Sequence, residues 1–397
     1  MKRFLPQLVL MICLTGCKGP GEPVVSADFP GGNIEVLKMG HDTICLKPDL
    51  SETAGEWFYW YFKVSNVSDR TITFQFALDN QFTSMGPAYS INNNGNWQWY
   101  GSQTVKDNGF TYSFAREDTA AWFCTAIPYT QSNLESFLNT LDSTLQLKQD
   151  TLAISQEGRA IEELCITPVD SEPEIRVLLT ARHHACEMMA SYVLEGIIQA
   201  VIHDPSLAYL REHVEFMIIP FMDKDGVENG QQGKNRIPRD HNRDYDGNSL
   251  YASTSALREK VPGWSGGRLQ VALDLHCPWI RGEYNEWIYM VGSARPSMEA
   301  EQLRFSSMLQ ENTFGILPFR SGDFLPYGMA WNTGSNSTLG TSFSQWAGGM
   351  DGIRLASTIE FPYGLVLDEP VSVENAREFG HAVAASIQRY FTGPEVK

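Results

Sequence analysis

His184 and Glu187 stand three residues apart in Ala181-Arg-His-His-Ala-Cys-Glu187, directly after the apolar run Glu174–Thr180. Side chains at i and i+3 at the start of a helix face one point. A third nitrogen comes from His276, which ends the run Leu269–Leu275 in Asp274-Leu-His276-Cys-Pro278. Two imidazoles and a carboxylate with a fourth position left open form the ligand set of a catalytic zinc ion. His183 is an alternative ligand four residues before Glu187, but its neighbour fits the spacing better. Two further clusters occupy corresponding places. Val214–Phe221 is followed by Met222–Asp246, which holds Arg236, Arg239, Asp240, Asn242 and Arg243, and the run Ile353–Phe361 carries Glu360.

These residues need a frame that brings distant segments together. From about residue 151 the chain alternates strand-like apolar runs with helical periodicity: Val193, Leu194, Ile197, Ile198 and Val201 share a face within Glu187–Ile202, and Val373–Phe391 closes the chain as an amphipathic helix. Such alternation predicts an α/β unit with a mixed, largely parallel sheet flanked by helices. Ligands of such sheets bind beyond the carboxyl ends of the strands, where the His, Glu, Asn and Arg residues fall.

Residues 31–150 read differently. Phe58, Trp60, Phe62 and Val64 alternate with polar or aromatic partners, as do Ile72, Phe74, Phe76 and Leu78, and Phe110, Tyr112 and Phe114 follow suit. This period of two predicts a small antiparallel β-sandwich with an aromatic core. Ser132 and Glu135 predict the capping box of a helix carrying Leu134, Phe137, Leu138 and Leu141 on one face. The domain plan is thus a leader at 1–16, a linker at 17–30, a β-sandwich at 31–150 and an α/β unit at 151–397.

The leader has Lys2 and Arg3 before the 13-residue run Phe4–Gly16, too short to span a bilayer and suited to export. Leu14-Thr15-Gly16-Cys17 resembles a bacterial lipobox, which predicts an envelope lipoprotein anchored through lipid on Cys17, with Lys18–Val25 as a leash. Removing Cys13 and Cys17 leaves five cysteines at irregular spacing, which is no disulfide framework. The chain carries 30 Lys and Arg against 47 Asp and Glu, a formal charge of −17. A surface of that sign excludes tracking of nucleic-acid phosphates.

Taken together, the His184 motif, the Arg/Asn cluster, Asp274-Leu-His276-Cys-Pro278 and Ser357-Thr-Ile-Glu-Phe361 resemble the zinc carboxypeptidases of the carboxypeptidase A superfamily. Trp57–Asn66, Trp122–Leu138, Asp223–Gly230 and Gly340–Trp346 are similar to the cytosolic-carboxypeptidase branch and its bacterial relatives, in which a small β-domain precedes the catalytic one. The resemblance implies one zinc ion on His184, Glu187 and His276, and Glu360 as general base. It also implies Asn242 and Arg243 as the grip on a substrate's terminal carboxylate, and Asp240 as a carboxylate orienting a ligand histidine. Arg239 matches the arginine that polarises the scissile carbonyl, with Arg236 competing for that match. The implied activity is release of C-terminal residues from peptides with a free carboxylate. The alternatives are an amidase or endopeptidase at the same zinc and a catalytically silent binding lipoprotein.

Overall fold

The structure, a computed structural model, describes residues 21–92, 95–141, 147–169, 171–337 and 339–393. The expected leader and the lipid-bearing Cys17 lie outside the described residues. Among these residues no helix is long and apolar enough to cross a membrane.

Two five-stranded sheets form the first unit. One contains, in spatial order, Val24–Ser26, Tyr61–Ser65, Ala120–Cys124, Ala88–Ile91 and Gln98–Trp99. The other contains Glu35–Met39, Thr43–Lys47, Thr71–Phe76, Gly109–Ser113 and Val105–Lys106. Alternation turns Phe62 and Val64 from one sheet, and Ile44, Ile72, Phe74 and Phe110 from the other, into a single buried core with Phe123. Phe74 and Phe123 meet at 5.2 Å between ring centroids, and each fully buried side chain of this size contributes roughly 1.5–3 kcal/mol. Three expectations change. One pairing, Thr43–Lys47 with Thr71–Phe76, is parallel. Val24–Ser26, placed in the linker by its flanking glycines and prolines, pairs antiparallel with Lys63–Ser65. The cap of the helix Gln131–Thr140 lies two residues earlier than Ser132, where the Asn133 side chain accepts from the extended Thr130 N–H at 2.9 Å.

The second unit is built on seven strands: β1 (Leu147–Ile154), β2 (Ala160–Ile166), β3 (Ile175–Ala181), β4 (Val214–Ile219), β5 (Leu269–His276), β6 (Tyr289–Met290) and β7 (Leu355–Glu360). Their spatial order is β1-β2-β4-β3-β5-β7-β6. The four central strands β4, β3, β5 and β7 are parallel, while β1, β2 and β6 join antiparallel. Their apolar runs are nearly unbroken because both faces are covered. Val177 and Leu179 face a core shared with α1 (Met188–His203), α3 (Pro296–Asn312) and α4 (Val373–Thr392). Leu178 and Ala272 face the other core, with Leu257 and Val261 of α2 (Ala252–Ser265).

Core membership changes hands earlier than residue 150. Phe123 belongs to the sandwich, whereas Ala126, Tyr129, Leu134 and Phe137 bury in the core of the larger unit. Phe58 and Tyr59 of the first unit join that core too, while Trp60 and Phe62 stay in the sandwich core.

Candidate active site

The chain reverses direction across the sheet between β3 and β5: β4 lies on one side of β3, and β5 on the other. Beyond the carboxyl ends of these strands lies a cavity of about 650 Å³. His184, His276, Asp240, Asn242, Arg243 and Glu360 all line it.

His184 and Glu187 sit in the turn between β3 and α1, with Glu187 at the helix N-cap. Arg182 opens the turn in the left-handed region at φ 61°, which a side chain of its size adopts only when its surroundings enforce it. Its buried guanidinium supplies that enforcement by donating to the Ala185 carbonyl, the Tyr129 carbonyl at 3.0 Å and Ser191 Oγ at 3.1 Å. The turn then aims three groups at one point. The Nδ1 atoms of His184 and His276 are 3.2 Å apart, Glu187 Oε1 lies 2.9 Å from the first, and Glu187 Oε2 lies 2.8 Å from the second.

Both converging imidazoles are held from behind. Asp240 Oδ2 meets His184 Nε2 at 3.1 Å, and Asp274 Oδ2 meets His276 Nε2 at 2.5 Å. Each outer carboxylate fixes which ring nitrogen faces the centre, the arrangement expected around a metal-bound imidazole. Asp240 occupies the orienting place that the sequence resemblance implies, whereas the part played by Asp274 emerges only from the fold. His183 also has cation-holding neighbours in Asp274 and His276. Its Nδ1 is spent on Asp274 Oδ1 at 2.8 Å, its Nε2 on the Tyr245 hydroxyl at 2.7 Å, and it is fully buried. The geometry therefore separates the two neighbouring histidines: His184 faces the cavity and His183 is structural.

The electrostatics follow from burial and pairing. Burial pushes the Glu187 carboxyl up, but Lys234, His184 and His276 overcome it and hold the group well below the usual carboxylate range. Burial lowers His276, and Asp274 and Glu187 reverse that and raise it well above 6.5. Burial likewise lowers His184, and Asp240 and Glu187 outweigh it, so that this group is raised too. An anionic carboxylate between two imidazoles whose Nδ1 atoms converge is a donor set that fits a divalent cation, which would displace the imidazole protons. Glu360 differs. Burial raises its carboxyl despite His276, and its Oε2 has no hydrogen-bond partner among the described residues. Cys186 and Cys277 are buried, and burial pushes the Cys186 thiol up to about 12, so they pack as neutral side chains.

Asn242 and Arg243 sit in a short 3-10 turn, His241–Arg243, capped by Asp240 Oδ1, which accepts from the Asn242 N–H at 2.7 Å. Asp240 thus links the Asn242–Arg243 turn to His184. Asn242 Oδ1 accepts from the Phe343 N–H at 2.9 Å, and Arg243 donates to Asn336 through Nε and one terminal nitrogen at 3.1 and 2.9 Å. A third N–H of Arg243 goes to the Asn242 carbonyl at 2.6 Å, leaving the rest of the guanidinium to the cavity.

Two residues do not come together with this set. Arg239 donates to Asp244 Oδ1 at 2.9 Å and to the Asn248 carbonyl, and is absent from the cavity wall. Arg236 is bound to Asp223 and to Gln231 Oε1 at 2.7 Å, also away from the wall. A cation that does reach the cavity beside the cluster is Lys234, with Nζ 2.5 Å from Glu187 Oε1 and 3.0 Å from the Cys277 carbonyl. Its loop passes so close to the His184 turn that a Cβ on Gly233 would stand 2.3 Å from the Ala185 nitrogen, at φ 73°. Glycine is required there. The Cys186 N–H donates to the Gln232 carbonyl at 3.1 Å.

The first unit braces this loop. Glu52 Oε1 accepts from the Gln232 N–H at 2.6 Å, the Gln232 side chain exchanges hydrogen bonds with the Tyr59 backbone at 2.8 Å, and Ala54 N–H donates to the Asn235 carbonyl. Trp57 reaches the cavity itself, packed on Trp279 at 4.9 Å between centroids. The β-rich unit is therefore part of the site.

Residues 134–264 match the family described as zinc carboxypeptidase. That span includes His184, Glu187, Lys234, Asn242 and Arg243, whereas His276 and Glu360 are joined to it by geometry. Over 352 residues the chain is 27% identical to mouse cytosolic carboxypeptidase 3, covering 76% of the chain and 34% of that relative. It is 26% identical to cytosolic carboxypeptidase 6 of Caenorhabditis elegans, covering 61% and 59%. The chain thus spans from a third to about three-fifths of these relatives' lengths. A metallo-carboxypeptidase structure from Burkholderia cenocepacia superposes with a TM-score of 0.75 at 19% identity, covering 94% of this chain and 99% of that one. A metallo-carboxypeptidase from Pseudomonas aeruginosa, solved with (2-guanidinoethylmercapto)succinic acid, gives 0.72 at 18% identity, covering 92% and 98%. At these identities the likeness shows a shared fold across both units.

Proposed function

We propose, for a chain that is homologous to the zinc carboxypeptidases, that it removes C-terminal residues from peptides bearing a free carboxylate. The observation that carries this reading is the meeting, in one cavity, of the His184–Glu187–His276 cluster, the unpartnered Glu360 carboxylate and the Asn242–Arg243 pair. Zinc held by the first three residues would supply Lewis acidity, polarising a carbonyl and making water more acidic.

The remaining chemistry belongs to the side chains. Glu360 Oε2 takes a proton from water and returns it to the leaving amine nitrogen. Lys234 faces the carbonyl oxygen and stabilises the charge that develops there, the part that the sequence resemblance gave to Arg239. Asn242 and the free edge of Arg243 fix the substrate's terminal carboxylate. An endopeptidase or amidase at the same centre would have no use for that pair, and a silent binding protein would have none for Glu360.

The test compares peptides as free acids and as C-terminal amides, using zinc-loaded protein. The wild type is expected to cleave the free acid by a wide margin. Charge-assisted hydrogen bonds contribute about 1.5–3 kcal/mol each, so Arg243→Ala should lower kcat/KM for the free acid roughly 10- to 100-fold per bond and hardly change cleavage of the amide. Equal rates on both substrates by the wild type would make the protein an amidohydrolase or endopeptidase.

We place the enzyme at the bacterial cell envelope, tethered by lipid on Cys17, on the strength of the leader and the Leu14–Cys17 motif. Cys17→Ser should abolish incorporation of a fatty-acid label. Equal labelling of the variant would reject the anchor.

A further inference from the structure

Three neighbouring strands place three polar residues in a row. His276 of β5 is the direct partner of Glu360 on β7, and Glu360 is the direct partner of Tyr289 on β6. Direct partners point to the same face of a sheet, with Cβ atoms about 4.5–5.5 Å apart. The row therefore runs from a metal ligand through the base to a phenol, and all three line the cavity.

Tyr289 is 2% exposed, and no acceptor for its O–H lies within reach among the described residues. A buried hydroxyl without an acceptor is costly, so such groups persist where something else supplies the partner. Its neighbour Glu360 is equally unpartnered. One donor and one acceptor, adjacent and unsatisfied at the wall of the same cavity, match the paired needs of a peptide: a carbonyl oxygen to accept and a water or amine proton to give.

We propose that the Tyr289 hydroxyl is a substrate-binding donor, giving its hydrogen bond to a backbone carbonyl oxygen of the bound peptide beside the scissile bond. This rests on the carboxypeptidase reading. Burial raises the phenol above its ordinary range, as does the nearby Glu360 carboxylate, so it stays protonated while it binds. The phenol is fixed on a strand rather than carried by a loop, so presenting it to a ligand costs little ordering.

Tyr289→Phe removes one oxygen and keeps the ring. With zinc content and thermal midpoint unchanged, it should lower kcat/KM for a free-acid peptide roughly 3- to 20-fold, the worth of one hydrogen bond. The acid limb of the pH profile should stay where it is in the wild type. Wild-type kcat/KM in the variant would overturn the assignment. So would a displaced acid limb, which would make Tyr289 a positioning group for Glu360. A wild type that cleaves no peptide would remove the carboxypeptidase reading itself, and this inference with it.

Discussion

Replacing Glu360 by glutamine is expected to lower kcat by about 10²- to 10⁴-fold, the usual range for losing general acid–base help, with fold and metal content intact. The substitution is nearly isosteric, so the buried end of β7 keeps its packing. Glutamine can hold a water but cannot take its proton. Burial raises the Glu360 carboxyl, with His276 and Lys234 pulling the other way and Glu187 reinforcing the rise. The group works as a base only when ionised, so wild-type activity should climb with pH along an acid limb that belongs to this carboxyl. That acid limb should vanish in the variant. Near-normal kcat in Glu360→Gln would move the proton transfer to another group.

His276→Ala should lose zinc and activity together. Outer-shell partners of a metal site are worth about 10- to 100-fold in affinity, and removing a ligand should cost more. Asp274→Asn, which keeps all three candidate ligands and alters the carboxylate behind His276 that also holds His183, should fall in the lower range. His183→Ala provides the contrast: both its ring nitrogens are spent on Asp274 and Tyr245, so zinc should stay bound. Calorimetric titration of zinc into each variant, with circular dichroism to confirm folding, separates the three. Stoichiometric zinc at wild-type affinity in His276→Ala would sink the ligand assignment.

The electrostatic frame also explains why the ligand cluster is so enclosed. Glu187 is fully buried, and two imidazoles and an ammonium surround it. Leaving a carboxylate there without those partners would cost several kcal/mol. The first unit contributes by holding the Lys234 loop through Glu52, Ala54 and Tyr59, so truncating it would disturb chemistry as well as solubility.

Much of the site is legible in the sequence because its residues follow apolar runs directly. The run ending at Thr180 announces β3, and the His184–Glu187 turn must lie at its end. Leu269–Leu275 does the same for His276 and Ile353–Phe361 for Glu360, whereas Asn242 and Arg243 are marked by the family resemblance and their capped turn appears only in the structure. Two helices, α2 and α3, leave no comparable signal. Each buries positions at helical spacing, but several of them are polar, Ser253, Thr254 and Ser265 in one and Gln302 and Ser306 in the other, so the apolar period is broken.

Local pattern in the sequence thus marks where the candidate residues fall: His184 and Glu187 in the turn after β3, His276 and Glu360 at the ends of β5 and β7, and Asn242 and Arg243 in the long segment after β4. The side chains that arrive from elsewhere depend on how the strands and loops come together. Lys234 rather than Arg239 reaches the cavity because Gly233 lets its loop press against the His184 turn and because residues 52–59 hold it there. Tyr289 enters the row beside Glu360 through the pairing of a two-residue strand. His183 and His184, adjacent in the chain, part company because one finds Asp274 and Tyr245 and the other Glu187 and Asp240. Periodicity records the distance of a residue along its own strand, whereas the partners of a side chain depend on which strands become neighbours and in what register.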